Sequence, residues 1–471
     1  MSSRGRRLPR AVTVDGRPST SADHTSPGRL ARHVRRAYES SLALDVAAAS
    51  GLALVLGLIR LGTPSLWVDE AFTAHAVRET LVNPIDQYHW LYYAALKPWS
   101  LVAGTSERAL RLPSVFAAML ACALLVVLAR RFLERRVALL AGLFLAASPF
   151  LVKWSQQARS YSFVLAAGVL ATLLLLWALE RRSPGAWATY GLALSLVFVL
   201  QPVSALVLVP AHLVPIVRRR ATILPHGLVA PCVVVVLGAP WVFARSKQTP
   251  AQDWLPRPSP EVALNTLLDV SGVAGVGVAL AIVGLVVLRR TGRGDLGLWL
   301  GTWAFSPFLL TLLISFVQPV YLDRYLITAA PAFALLAAIA VLGVGVRWGA
   351  LLACVAIVAT AIGLARWYGY GENGWRGEGW RPAVETVLAR RAEDGAAVVV
   401  VPWWASPAAT YYGAPATSTS TDDAIWVLVW SENGHRLPAS ERRPLGFGDH
   451  VLVERLQFGR RVSAQLWRRE R

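Results

Sequence analysis

Carboxylates are scarce in this chain, and five of them fall in one stretch: Asp69, Glu70, Glu79, Asp86 and Glu107. The adjacent pair Asp69 and Glu70 lies in LWVDEAFTAHA, directly after an apolar run. An acidic pair at the mouth of a membrane bundle suits a general base or a cation ligand. The same residue types also serve as solvated acids at a helix N-terminus. Asp86 is a further acidic candidate. The basic complement is Lys97, Arg111, Arg159 in KWSQQARSY and Arg324 in YLDRY. Arginine at headgroup level can clamp a phosphate through two parallel hydrogen bonds, or simply snorkel. Asp323 beside Arg324 offers a local ion pair instead. His89, three residues after Asp86, reads as a substrate contact or as a hydrogen-bonded structural group. No His, Cys or carboxylate cluster has metal-ligand spacing, and no phosphate-binding glycine loop or nucleophile elbow is present. No cofactor is expected, and the need for a divalent metal stays open.

The elements that must position these residues follow from composition. The chain has 471 residues, 55% hydrophobic and only 16% charged, with a net charge of +19. Its mean hydropathy is +0.47. Soluble domains carry about 25% charged residues, so a soluble enzyme and a disordered chain are excluded. Eleven apolar runs, at about 44–62, 112–129, 137–152, 161–179, 186–200, 203–217, 223–244, 270–288, 297–317, 326–346 and 348–365, predict a polytopic α-helical membrane protein. Residues 1–43, with nine arginines before residue 40, read as a disordered basic cytoplasmic tail. The remaining arginine clusters (Arg130/Arg131/Arg135/Arg136, Arg181/Arg182, Arg218–Arg220, Arg289/Arg290/Arg293 and Arg347) all land inside when the N-terminus is cytoplasmic. The positive charge therefore sets orientation, and no nucleic-acid partner is implied. Residues 63–111 become one long external loop with interfacial helices. The stretches 153–160, 201–202, 245–269, 318–325 and the tail 366–471 are also external. In the tail, a helical run at 381–391 and strand-like runs at 396–402, 424–430 and 450–458 predict a small extracytoplasmic α/β domain. Cys122, Cys232 and Cys354 lie in apolar runs and read as small core residues.

The motifs resemble a known family. LWVDEAFTAHA is similar to the acidic first-loop motif of the GT-C membrane glycosyltransferases, which include the protein O-mannosyltransferases and the lipid A aminoarabinose transferase. ERALRLPSVFAAML resembles the start of that family's second helix. SQQARSYSFVLA resembles its E-A-R-x-Y segment, and DRYLITAAPAFALLAA its R-Y-L-x-x-x-x-P-A segment. DQYHWLYYAALKPW, with GWRPAVETVL and YYG in the tail, looks like an actinobacterial mannosyltransferase-like branch. The resemblance spans most of 44–471. It implies a GT-C-like module at 44–365 and the small domain at 366–471.

It further implies transfer of a sugar, mannose or similar, from a polyprenyl-phosphate donor to a glycan, lipid or protein acceptor on the external face of the plasma membrane. No nucleotide is needed. The first-loop Asp69 would act as base in an inverting reaction. Glu70 and Asp86 would be catalytic companions, and His89, Lys97, Arg111, Arg159, Tyr161, Arg324 and Tyr325 would bind substrate. Two positions depart from the pattern: Gln157 stands where the family has Glu, and Trp90 where the branch has Gly. A flippase or transporter would show internal repeats with broken, charged helices, which this sequence lacks. A non-catalytic assembly protein of the same fold would have lost Asp69.

Overall fold

The computed structural model describes residues 27–79, 89–218, 224–245, 258–272, 275–369, 378–415, 417, 419–431 and 442–470. Residues 1–26 of the expected basic tail, and Asp86, lie outside them. Two units divide at Leu44/Asp45. The first contributes the opening of helix α1 (Pro27–Leu58). The segment 27–43, expected to be unstructured, is therefore helical. Pro27 fits a first turn, and the Arg, Leu and Ala that follow are good helix formers continuous with the apolar run.

In the second unit the long external loop folds as two short helices, α2 (Val68–Arg78) and α3 (Trp90–Ala103). There follow α4 (Glu107–Ala129), α5 (Arg135–Ala147), α6 (Pro149–Ser155), α7 (Tyr161–Arg181), α8 (Pro184–Leu200), α9 (Pro202–Arg218), α10 (Leu224–Arg245), α11 (Pro260–Val270), α12 (Val276–Arg290) and α13 (Gly294–Ser315). A 3-10 segment, Asp323–Ala329, runs into α14 (Ala330–Gly343), and α15 (Val346–Gly369) follows. Every predicted apolar run coincides with a helix. Among the described residues six helices are long and apolar enough to cross a bilayer, and a seventh span arises if α5 and α6, bent by 57°, count as one. The bend sits at Ser148–Pro149, where Pro149 ends one hydrogen-bond ladder and the Ser148 hydroxyl accepts from Leu151 N–H to start the next.

The 3-10 segment and α14 together, Asp323–Gly343, form the centre of the bundle: 89% of their apolar window is buried, against 11% for α15. Close approach to α12 requires Gly284, because a Cβ there would meet the Leu336 carbonyl at 2.3 Å. Of the three cysteines only Cys122 is buried; Cys232 and Cys354 sit on exposed helix faces. Bilayer-facing surfaces are as apolar as a core, so an apolar run does not tell the two apart.

The tail folds as α16 (Trp380–Asp394), β1 (Ala397–Val401), α17 (Ser406–Tyr411), β2 (Ala424–Trp430), β3 (His450–Phe458) and β4 (Val462–Arg469). Strand order is β1-β2-β4-β3, with β1 and β2 parallel and the other pairs antiparallel. Val399, Ile425, Val427, Val429, Phe447 and Trp467 form its core. Strand β4 escapes the sequence reading because buried Ser463 and Gln465 interrupt its apolar face. They are satisfied locally: Gln465 donates to the Ser463 hydroxyl at 3.2 Å and accepts from Trp467 Nε1 at 3.2 Å.

Two polar contacts define opposite ends of the bundle. At one end buried Asp45 of α1 accepts from Arg135 at 3.0–3.2 Å and lies 3.8 Å from Arg130. At the other, residues 61–68 meet the tail. The Arg130–Arg136 loop and the tail thus lie at opposite ends of the bundle. In a cysteine-free background we expect Ser183→Cys to react with an impermeant maleimide only after permeabilisation, and Thr421→Cys to react from outside. Reversal of either result overturns the orientation.

Candidate active site

The site grows from the start of α2. The Glu70 side chain reaches back to Trp67 N–H at 3.3 Å and so covers one of the donors that a helix N-terminus leaves open. It is completely buried. Its carboxylate also accepts from Arg111 Nε at 2.8 Å and Nη2 at 2.7 Å, and from Ala158 N–H at 2.7 Å. The remaining Arg111 donors go to the carbonyls of Leu61, Pro64 and Ser65, each at 2.9 Å. One buried pair thus ties together α2, α4, the turn after α6 and the chain leaving α1. Glu70 and Arg111 are fully engaged with each other and with backbone. Glu70 was expected to be catalytic and Arg111 to bind substrate; the structure places both in a buried ion pair.

Asp69, one residue earlier, points elsewhere. Its side chain is 22% exposed and lies 3.9 Å from Arg324 Nη2. Arg324 is buried near the rings of Trp67 (5.9 Å) and Tyr325 (5.8 Å), and its Nε has no hydrogen-bond partner among the described residues. The Asp69 carbonyl accepts from Arg159 Nη1 at 3.1 Å, and the same nitrogen reaches the Tyr93 hydroxyl at 3.3 Å. Thr73 Oγ1 donates to the Ala158 carbonyl at 2.9 Å and Ser114 Oγ to the Arg159 carbonyl at 3.2 Å, which fix that turn. His89 meets Ser160 Oγ through Nδ1 at 3.2 Å and packs edge-on against Tyr93 and Tyr161. Tyr161 in turn packs on Trp154 at 4.9 Å. The Tyr325 carbonyl accepts from Ser204 of α9 at 2.7 Å, tying the 3-10 segment to the bundle.

Asp323 does not pair with the Arg324 side chain. One of its oxygens binds Lys153 Nζ at 2.6 Å, and the other accepts the Arg324 backbone N–H at 2.8 Å. Sequence reasoning gave Lys153 no role. The available signal was its type, one of three lysines, in an otherwise apolar run. Asp269, at the end of α11, faces the same lysine and Asp323, and burial pushes its carboxyl above the usual range while Lys153 opposes the shift.

Lys97 lies one turn beyond Tyr93 on α3, half-buried and with no side-chain partner among the described residues. Trp90 is 52% exposed, so its bulk is turned out from the cluster. Gln157 is buried and its Oε1 has no partner among the described residues. No group of three or more His, Cys, Asp or Glu among the described residues lies close enough to hold a metal ion.

The tail covers this site with residues that sequence reasoning did not single out. Glu378 Oε2 accepts Val68 N–H at 2.9 Å, and the Tyr412 hydroxyl accepts Leu66 N–H at 2.7 Å. Tyr412 also donates to Glu107 at 3.1 Å, and Arg381 pairs with Glu107 at 2.5 Å. Tyr411 donates to the Thr105 carbonyl at 2.7 Å. Burial pushes both tyrosine hydroxyls well up, so they remain protonated donors. Their only sequence signal was the YYG that followed the first tail strand.

Comparisons with known proteins bear on the fold. Residues 91–243 match the family model of dolichyl-phosphate-mannose-protein mannosyltransferases. The crystal structure of ArnT from Cupriavidus metallidurans bound to undecaprenyl phosphate is similar at TM-score 0.56 and 16% identity, over 89% of this chain and 97% of that one. The apo structure of the same protein gives TM-score 0.58 at 16% identity, over 91% and 98%. The chain shares its fold with these ArnT structures, and about a third of it matches the mannosyltransferase family model. Archaeal oligosaccharyltransferase AglB from Archaeoglobus fulgidus, in complex with an inhibitory peptide and a dolichol-phosphate, is similar at TM-score 0.50 and 13% identity, over 78% of this chain and 63% of that one. No curated protein sequence matches the chain.

The Glu70–Arg111 pair should carry stability. Removing one partner of a buried ion pair costs about 3–5 kcal/mol. We expect Glu70→Ala and Arg111→Ala each to lower the Tm of the purified protein markedly. A Tm unchanged in both would show that the pair does not hold the loop.

Proposed function

We propose that the protein moves a sugar, mannose or a similar hexose, from a polyprenyl-phosphate donor to an acceptor hydroxyl at the external face, with inversion. The observation that carries this reading is the meeting of Asp69 and Arg324: a partly open carboxylate 3.9 Å from a buried guanidinium whose Nε is unused. A buried cation with donors to spare favours an anionic ligand, and an adjacent carboxylate can take a proton. The neighbours support the donor class, since the ArnT structure holds undecaprenyl phosphate and the AglB structure a dolichol-phosphate. The matched family is described by dolichyl-phosphate-mannose.

In this reading the acceptor oxygen attacks the anomeric carbon and its proton passes to Asp69. The bond from that carbon to the phosphate oxygen breaks, and the phosphate leaves with the electron pair. Arg324 meets the charge that gathers on the phosphate. Lys97 is a second cation available to it. Arg159 acts by holding the Asp69 carbonyl and Tyr93, beside His89 and Tyr161. Asp323 and Lys153 anchor the backbone at Arg324. A polyprenyl phosphate is a good leaving group, so no general acid is required.

The test is transfer from radiolabelled polyprenyl-phosphate mannose in membranes. Asp69→Asn is nearly isosteric and should lower turnover by at least about a hundredfold, the low end of what a positioned base contributes, with Tm unchanged. Near wild-type turnover would overturn the base assignment. Arg324→Lys keeps charge but loses the planar fork. It should raise the donor KM if the arginine holds the ground-state phosphate, or lower kcat if it meets developing charge. Unaltered kinetics would remove Arg324 from the donor site. If wild-type membranes transfer no sugar from any polyprenyl-phosphate donor, the non-catalytic reading gains, and buried Gln157 in place of the family's Glu is the feature that favours it.

A further inference from the structure

Helix α2 begins badly as a helix. Its N-cap residue is Trp67, whose side chain forms no cap hydrogen bond, and four N–H groups at a helix start lack intrahelical acceptors. Two carboxylates make good the deficit. Glu70 takes the Trp67 N–H from within the helix. Glu378 takes the Val68 N–H at 2.9 Å from the far end of the chain.

Glu378 is buried, 3% exposed, and is rooted in the tail sheet. It bridges to Gly459 through its backbone, and the next residue's N–H donates to the Phe458 carbonyl at 3.4 Å. Its Oε2 also accepts from Trp380 Nε1 at 3.2 Å, and its Oε1 lies 3.7 Å from Arg461 Nη1. Arg461 itself lies over the Trp430 ring at 5.6 Å. The carboxylate is thus held by two tail side chains, Trp380 and Arg461, and aimed at one membrane-module N–H. Asp69 stands between the two anchored residues: Val68 is fixed by the tail, and Glu70 by α4.

We propose that Glu378 is a positioning residue for Asp69. The tail domain supplies the missing cap of α2, and this fixes the direction in which the Asp69 carboxylate leaves the helix toward Arg324. The inference rests on Asp69 being the base. Its mechanical part does not, and can be read without any transfer assay. Loss of the cap frees the first turn of α2 and misaligns Asp69, so the chemical step suffers while donor binding at Arg324 does not.

Full-length protein in nanodiscs is compared as wild type, Glu378→Ala and Glu378→Gln. Hydrogen exchange at amides 68–72 should quicken by about five- to tenfold in the alanine variant, the size of a lost helix cap. Amides of β1–β4 should stay protected. In the alanine variant kcat should fall by about tenfold or more, as small misplacements of a reacting group do, with donor KM changed less than about twofold. Glutamine keeps an acceptor oxygen for Val68 N–H and should restore most of both properties. Unchanged exchange at 68–72 in Glu378→Ala overturns the clamp. Faster exchange with unchanged kcat, alongside an inactive Asp69→Asn, overturns the positioning role. Faster exchange with a fully active Asp69→Asn overturns the base assignment on which that role rests. If the sheet amides also lose protection, or if Glu378→Gln behaves like the alanine variant, the effect is general unfolding and the proposal fails.

Discussion

The site depends on one buried ion pair. Glu70 and Arg111 sit where no water can solvate them, so each must be satisfied by protein or be very costly to bury. The geometry meets that demand with two parallel bonds between the charges and five further bonds to backbone. Those backbone bonds are what turn a charge pair into a scaffold. They reach the exit of α1, the first turn of α2 and the turn that carries Arg159. Asp69 inherits its position from that scaffold, and the neighbouring carboxylates acquire opposite fates. One is saturated and dry; the other is half-open and faces a cation.

The same rule organises the other buried charges of the bundle. Asp45 is met by Arg135 and Arg130. Lys153 is met by Asp323, with its ammonium 4.8 Å above the Trp154 ring. An apolar bundle cannot leave a charge alone, so each such pair pins two segments distant in sequence. Arg324 is matched less closely. Its nearest carboxylate oxygen is 3.9 Å away, beyond hydrogen-bond length, and its Nε is unsatisfied. That mismatch is what the proposed donor phosphate would relieve.

The tail is more than an appended domain. Arg381, Tyr412 and Glu378 reach the segment 62–68 and the head of α4. The loop they grip has little regular structure of its own, so its shape is set by contacts made across about three hundred residues of chain. Such closure comes at modest entropic cost once the bundle has formed.

Some of this was decided by the chain's own composition. Apolar runs of about twenty residues leave no alternative to helices when a membrane is the solvent, and every one of the eleven runs is a helix. Pro149, Pro184 and Pro260 mark helix starts that any sequence reading can find. Short motifs brought Asp69, Arg159, Arg324 and His89 forward, because their types and their places at helix ends are local facts. What lay beyond reach was partnership. Asp69 and Glu70 are indistinguishable as adjacent acids, and only Arg111, forty-one residues on, separates them. Asp323 looked like the mate of its neighbour Arg324, yet Lys153 from α6 holds it. Glu378 carried no signal at all, since its function is a single hydrogen bond to a backbone N–H 310 residues away. Helices follow from local periodicity and solvent. A buried charge chooses its partner by three-dimensional proximity and desolvation, and those exist only after the helices have packed.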